Sequence, residues 1–142
     1  IGNGPAGVIA ADIAAELDKL LWADLLILNF PLFWCSVPAM LKGFFDRLLM
    51  PGVAFDLSDP ANVRPLLTHI RAISAVVTYG RPRWMAWYMG DPPRKIITRY
   101  LARLAGGKAR VSYHAHYHMN VATPDRLTAF RDRVGQAMAR LA

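Results

Sequence analysis

Residues 23–55 read ADLLILNFPLFWCSVPAMLKGFFDRLLMPGVAF, and three elements can be drawn from them. Leu25 to Phe30 is a short, almost unbroken apolar run, which is what a strand in a parallel sheet covered on both faces requires. The uncharged stretch continues to Leu41, 17 residues in all, close to the length of a membrane span. Asn29, Pro31, Ser36 and Pro38 interrupt it, and two prolines seven residues apart would break a spanning helix, so it reads as a strand, a loop and a helix start in a buried core. Pro38 suits the first position of that helix, which carries Leu41, Phe44, Phe45 and Leu48 and stops at Pro51-Gly52.

Working outward, Ala10 to Ala23 places Ile13, Leu17, Leu20 and Leu21 at helical spacing among charged residues, an amphipathic helix. After a poorly patterned stretch to about Arg64, Arg71 to Tyr79 is apolar and β-branched, a second buried strand. Gly80 to Gly90 reads as a loop rich in Arg, Pro, Trp and Tyr. Asp91-Pro92 reads as the N-cap and first position of a helix that runs to Leu104 and ends at Gly106-Gly107. Arg110 to Met119 alternates as a third strand, and Thr123-Pro124-Asp125 caps a last helix with Leu127, Phe130, Val134 and Met138 on one stripe. Helices alternating with strands predict an α/β three-layer sandwich with a parallel sheet and right-handed crossovers.

The composition bounds the class. With 142 residues, 54% hydrophobic, 19% charged and one cysteine, the chain reads as one domain spanning 1–142, not a disordered or disulfide-stapled one. A chain of this size buries about two-thirds of the surface it exposes when unfolded, enough for a core without metals. The single Cys35 and the lack of a basic-then-apolar leader predict a reducing, cytoplasmic setting. Net charge is +7, unevenly spread: residues 1–70 hold 4 Lys/Arg and 7 Asp/Glu, residues 71–142 hold 13 and 3. That field would attract phosphorylated molecules or anionic lipid. No nucleic-acid motif accompanies it, and the reading is no nucleic-acid partner.

In an open parallel sheet, ligands bind outside the carboxyl ends of the strands, which singles out the loops at residues 31–37 and 80–90. Phe33 and Trp34, on a loop bracketed by prolines, suit stacking on a flat ligand, although the same rings suit a core plug or a subunit interface. Arg81 and Arg83 are candidates to pair with a phosphate of a nicotinamide dinucleotide, against the ordinary role of solvated loop arginines. His114, His116 and His118 alternate, a spacing that can offer imidazoles to zinc, but no carboxylate or cysteine completes a site, so no metal is expected. Cys35 reads as a small hydrophobe rather than a nucleophile. The opening Gly2-Asn3-Gly4-Pro5-Ala6-Gly7 matches G-x-G-x-x-G but lacks a strand before it and reads as a connector.

Over residues 23–55 the chain strongly resembles the flavodoxin-fold NAD(P)H dehydrogenase (quinone) family, through the order acid, apolar strand, FPLFW, small residues, PA-x-LKG, aromatic, D-R, G, aromatic. Residues 71–142 fit that family's later strands and helices more loosely. The resemblance implies a flavodoxin-like sandwich and a flavin, FAD or FMN, with NAD(P)H as co-substrate. It implies hydride transfer from NAD(P)H to flavin and then to a quinone or similar acceptor. It places Pro31, Leu32, Phe33 and Trp34 at the flavin ring and aligns Thr78, Tyr79, Gly80 and Arg81 with the loop that contacts the ring's polar edge, Arg81 replacing a second glycine. Tyr88 corresponds to a tyrosine that assists charge relocation during hydride transfer.

The resemblance further implies a homodimer, in which Trp34, Trp84, Trp87 and Tyr88 have interface and pocket roles. The alternative it leaves is a regulatory ancillary subunit of a glutathione-gated potassium efflux system, a peripheral membrane partner. The family opens with a strand, a phosphate-binding loop, a helix and a second strand that have no counterpart before Ala10, so the reading is a domain truncated at its N-terminus. Such a chain, with a central strand's edge uncovered, is expected to bind flavin poorly by itself and to associate.

Overall fold

In the computed structural model, which describes residues 11–141, α1 (Ala11–Trp22) leads into β1 (Leu25–Pro31), and α2 (Ala39–Leu48) follows directly behind Pro38. A small antiparallel hairpin, β2 (Phe55–Asp56) with β3 (Arg64–Pro65), precedes β4 (Ala72–Thr78). Then come α3 (Arg83–Tyr88), α4 (Pro92–Lys95), a π-helical segment over Ile96–Leu101, α5 (Ala102–Leu104), β5 (Arg110–His116), a 3-10 turn at Met119–Val121 and α6 (Pro124–Ala139). The glycine-rich opening at residues 1–7 lies outside the described residues. Among the described residues no helix is long and apolar enough to cross a membrane.

The three long strands form one parallel sheet in the order β1-β4-β5, with Leu25 beside Ala72 and Ala72 beside Arg110. Because side chains alternate across a strand, this register puts Leu26, Leu28 and Phe30 on the same face as Ile73, Ala75, Val77 and Tyr79, and as Val111, Tyr113 and Ala115. That face joins Ile13, Leu17 and Leu20 of α1, Phe45 and Leu48 of α2, and Ile97 and Leu101 in one core. Ile73 and Val77 are wholly buried, each stabilising the fold by about 2 kcal/mol relative to exposure.

The opposite face is more polar. Ser112 donates to Ser74 at 2.8 Å, and His116 sets its ring edge against Phe130 of α6, 5.1 Å between centroids. Coverage of both faces, expected for the first strand, holds for one face of β1: among the described residues Ile27 is 55% exposed and Asn29 is open to solvent. β1 is also an edge of the described sheet.

Several local expectations are corrected. Leu21, expected on the buried stripe of α1, is half exposed, so that stripe is Ile13, Leu17 and Leu20. The unpatterned stretch before Arg64 contains the β2–β3 hairpin. There the Ser58 hydroxyl, then the Ser58 backbone and Arg64, bind the Asp56 carboxylate and hold its pKa at about 2. The expected loop at 80–90 contains α3, a helix of six residues without a buried position and hence without a legible stripe. Asp91 and Pro92 take the N-cap and first helical positions as read, and the Asp91 carbonyl accepts from the Lys95 N–H at 3.2 Å, but Asp91 has φ +45° and its side chain makes no cap hydrogen bond. The helix after it widens into a π turn across Ile96–Leu101. The third strand stops at His116, short of Met119, because His118 turns left-handed at φ +62° and donates its N–H to the Arg81 carbonyl at 3.0 Å. The last helix begins as read, with Thr123 Oγ1 accepting from the Arg126 N–H at 3.4 Å.

Burial, with Arg126 and Arg133 nearby, holds His116 below its ordinary pKa of 6.5, and its Nδ1 finds no partner among the described residues. The unfolded chain therefore takes up a proton near pH 6.5 that the folded chain resists. Stability is expected to be complete above that pH and to decline as pH falls through the window down to the folded pKa. Replacing His116 by phenylalanine should flatten that decline in urea titrations at stepped pH. An unchanged slope would show that His116 does not carry it.

Candidate functional site

Pro31 and Thr78 stand side by side at the carboxyl ends of β1 and β4, and the Leu32 N–H extends the ladder by one bond to the Thr78 carbonyl at 2.9 Å. Beyond it the chain reverses at once. Phe33 and Ser36 exchange both backbone hydrogen bonds, at 3.1 and 2.8 Å, around Trp34 at φ +46° and Cys35 at φ +58°. Two central residues at positive φ are the geometry of the tightest hairpin turns, normally filled by Asn-Gly, and a β-carbon there costs about 1 kcal/mol or more per residue. The turn holds Trp34 wholly in solvent and Phe33 more than half exposed. Neither ring is a core plug.

The second wall follows β4. Tyr79 spends its N–H on the His116 carbonyl and its carbonyl on the Met119 N–H, at 2.8 and 2.9 Å. Gly80 and Arg81 donate their N–H groups to none of the described residues, which leaves two adjacent donors free for a ligand. A β-carbon on Gly80 would meet Asn120 Oδ1 at 3.3 Å, so a side chain there would crowd this strip. Neither Gly80 nor Arg81 has positive φ, and arginine therefore sits at 81 without backbone strain.

Between these walls lies a pocket of about 310 Å3. Leu32, Phe33, Trp34 and Cys35 line one side, Tyr79, Gly80 and Arg81 another, and Met85, Ala86 and Met89 with Asp91, Pro92 and Pro93 complete it. Six of the residues singled out from sequence thus converge: Leu32, Phe33, Trp34, Tyr79, Gly80 and Arg81. Pro31 and Thr78 sit one step back, at the strand ends. Tyr88 does not line the pocket and is 76% exposed on α3. Met85, Ala86, Met89 and Asp91 were not anticipated. The spacing of Met85, Ala86 and Met89 is that of one helical face, a signal readable only once α3 is known to be a helix.

A part-buried polar network stands behind the pocket. The Tyr79 hydroxyl donates to Asp91 Oδ1 at 2.6 Å and, its one proton so used, accepts from the Tyr113 hydroxyl at 2.6 Å. Arg94 Nε donates to Asp91 Oδ2 at 3.1 Å, its terminal nitrogen donates to the Tyr117 hydroxyl at 3.3 Å, and its guanidinium lies 4.4 Å above the Tyr113 ring. Burial, and then hydrogen bonding to Asp91 and Tyr113, pushes the Tyr79 pKa far above 10. Burial pushes Tyr113 up to about 12. Both phenols are therefore neutral donors at physiological pH, and Asp91 is fixed from two sides.

The three alternating histidines do not form a cluster. His114 and His116 share a face of β5, while His118 has left the strand, and among the described residues no group of three potential ligands could hold a metal.

Residues 3–138 match a family model described as a flavodoxin-like fold. Ribosyldihydronicotinamide dehydrogenase [quinone] from Homo sapiens is 55% identical over 49 residues, 34% of this chain and 21% of that protein. The chain thus aligns with about a fifth of that relative's length. An NAD(P)H:quinone oxidoreductase from Methanothermobacter marburgensis superposes with a TM-score of 0.73 at 22% identity, covering 92% of this chain and 65% of that one. An FMN-dependent NADH-azoreductase from Bacillus anthracis, solved with FMN, superposes at 0.73 and 18% identity, covering 92% and 64%. At these identities the two structures speak to the fold.

Proposed function

The chain belongs to the flavodoxin-like fold family, and from that membership we propose that it works in a flavin-dependent NAD(P)H:quinone oxidoreductase, with FAD or FMN as its flavin. The observation that carries the reading is the pocket at the carboxyl ends of β1 and β4, walled by Leu32, Phe33 and Trp34 and by the free N–H groups of Gly80 and Arg81. Its volume is at the lower end of the 300–1,000 Å3 typical of small-molecule sites, which suits a ring system with the rest of the ligand outside. The residues fit the isoalloxazine: apolar and aromatic surface for its faces, two backbone donors for its carbonyl edge. When bound, the flavin supplies a ring that accepts hydride from NAD(P)H and gives it to a quinone.

The chain's own part is to bind and orient. In this reading Pro31 and Thr78 fix where the two loops leave the sheet, Phe33 and Trp34 bound the ring, and Gly80 and Arg81 hold its polar edge. The bond from Tyr79 to Asp91 keeps the wall rigid. The exposed rings of Trp34, Trp84, Trp87 and Tyr88 lie on or around the pocket and are proposed to meet a second copy in a homodimer, serving interface and pocket together. Tyr88, outside the pocket of one chain, would take its proposed role in charge relocation only in that assembly. The relatives named above are oxidoreductases, which favours turnover over the ancillary-subunit reading. The single unpaired thiol, Cys35, supports a reducing, cytoplasmic setting.

The test is a titration of the purified full-length protein, rather than of residues 1–142 by themselves, with FAD and FMN, followed by flavin fluorescence, with sedimentation of the same sample and NAD(P)H oxidation with a quinone. Saturable quenching near one flavin per chain, a dimer and quinone-dependent oxidation are expected. A folded chain that quenches neither flavin would overturn the reading.

A further inference from the structure

Beside the aromatic pocket is a second cavity, of about 400 Å3, lined by Arg83, Trp87, Gly90, Arg94, Lys95 and Tyr117 and sharing Asp91 with the first. α3 is the partition. Met85, Ala86 and Met89 line the apolar pocket, while Arg83 and Trp87, one helical turn apart, line the basic one. The two loop arginines singled out from the sequence are therefore separated, Arg81 to the first pocket and Arg83 to the second.

Three cations and one carboxylate line this cavity, and the carboxylate is already committed. Asp91 accepts from Arg94 and Tyr79, and Arg94 is further held by Tyr117 and stacked on Tyr113, so its guanidinium is fixed in place. Arg83 and Lys95 form no ion pair with any described residue, and they leave the cavity with an excess of two positive charges. Gly90, at φ +79°, has no side chain in the way of Lys95: a β-carbon there would lie 3.4 Å from the ammonium. Fixed and free donors around one concavity are the arrangement that recognises phosphate oxygens.

We propose that this cavity binds the phosphate groups of the nicotinamide dinucleotide whose ring works at the adjoining pocket, with Arg83 and Lys95 as the specificity-determining residues and Arg94 as a fixed third donor. The inference rests on the oxidoreductase reading and deepens it. It assigns this chain a phosphorylated hydride donor in preference to ribosyldihydronicotinamide, which has no phosphate and which names the human relative. Flavin phosphates share the same chemistry, and the experiment separates the two sources.

The variant is Arg83→Gln with Lys95→Gln in the full, flavin-loaded chain. The ratio of kcat/KM for NADPH to that for dihydronicotinamide riboside is expected to fall at least tenfold, and the NADPH term to weaken steeply with added salt. An equal loss with both donors would overturn the proposal, since a merely structural effect would do that. So would a rise in Kd for FMN but not for riboflavin with an unchanged donor ratio, which would give the cavity to the flavin's phosphate. An independent readout needs no turnover: calorimetric titration of the flavin-free chain with inorganic pyrophosphate, with binding expected in the parent and weakened in the variant. No pyrophosphate binding by a chain that does bind flavin overturns this inference and leaves the oxidoreductase reading standing. Pyrophosphate binding by a chain that binds neither flavin keeps the phosphate site and overturns the oxidoreductase reading.

Discussion

Replacing Tyr79 by phenylalanine is expected to cost about 2 kcal/mol of stability, the value of a hydrogen bond to a charged group. The ring would stay in its buried place, 4.6 Å from that of Tyr117, so packing changes little. What is lost is one of the two donors to the Asp91 carboxylate, only 15% exposed, together with the oxygen that accepts from Tyr113. For a domain with about 5–15 kcal/mol in total this is a large fraction. Tyr113→Phe is the matched control and should cost less, because the bond from Tyr79 to Asp91 survives it. The measurement is the urea midpoint at constant slope. Equal costs for the two variants would show that Asp91 does not depend on Tyr79.

The same pair predicts an alkaline limit. A tyrosine whose folded pKa is raised contributes stability that is complete below its unfolded pKa of 10 and is lost as pH rises toward the folded value. The parent should therefore lose stability from pH 10 upward, through about 12 for Tyr113 and beyond for Tyr79. In Tyr79→Phe that decline should be shallower.

The second large effect has opposite signs for stability and binding. Trp34→Asn with Cys35→Gly puts into the turn the pair its two positive φ values favour, and is expected to stabilise the chain by about 1 kcal/mol after the extra entropy of glycine. Trp34 is fully exposed, so its removal forfeits no burial to offset that gain. Flavin affinity should fall about tenfold, as expected when an aromatic contact worth about 1.4 kcal/mol leaves the ring's wall. A loss of stability would show that the turn is unstrained. A gain in stability with unchanged flavin affinity would show that Trp34 does not bound the ring.

The strands and main helices were legible because each carries its own periodicity. Leu25–Phe30 and Arg71–Tyr79 are predominantly apolar, and Pro38 and Thr123-Pro124 mark helix starts that the structure reproduces. Six pocket residues were legible for a related reason, since strand order alone puts the loops after β1 and β4 at one end of the sheet. α3 was not legible: six residues, RWMAWY, four of them exposed and none buried, form a helix without any stripe that burial would impose. Asp91 was legible as the residue that opens the helix before Pro-Pro, but not the direction of its carboxylate, which caps no helical N–H and is drawn inward to Tyr79, 12 residues earlier in the chain.

The sequence by itself determined the alternation of helix and strand, the parallel α/β class and the placing of aromatic residues beyond the strand ends, because these depend on periodicity and on loops a few residues long. Only the tertiary structure decided what those residues do together. The Trp34-Cys35 turn is left-handed through the bonds Phe33 and Ser36 exchange; Tyr79 turns its backbone to the next strand and its hydroxyl to Asp91. Arg81 and Arg83, two residues apart, face different cavities because a helix begins between them. Such choices rest on bonds and packing between distant parts of the chain, whose free energy no local window of sequence contains.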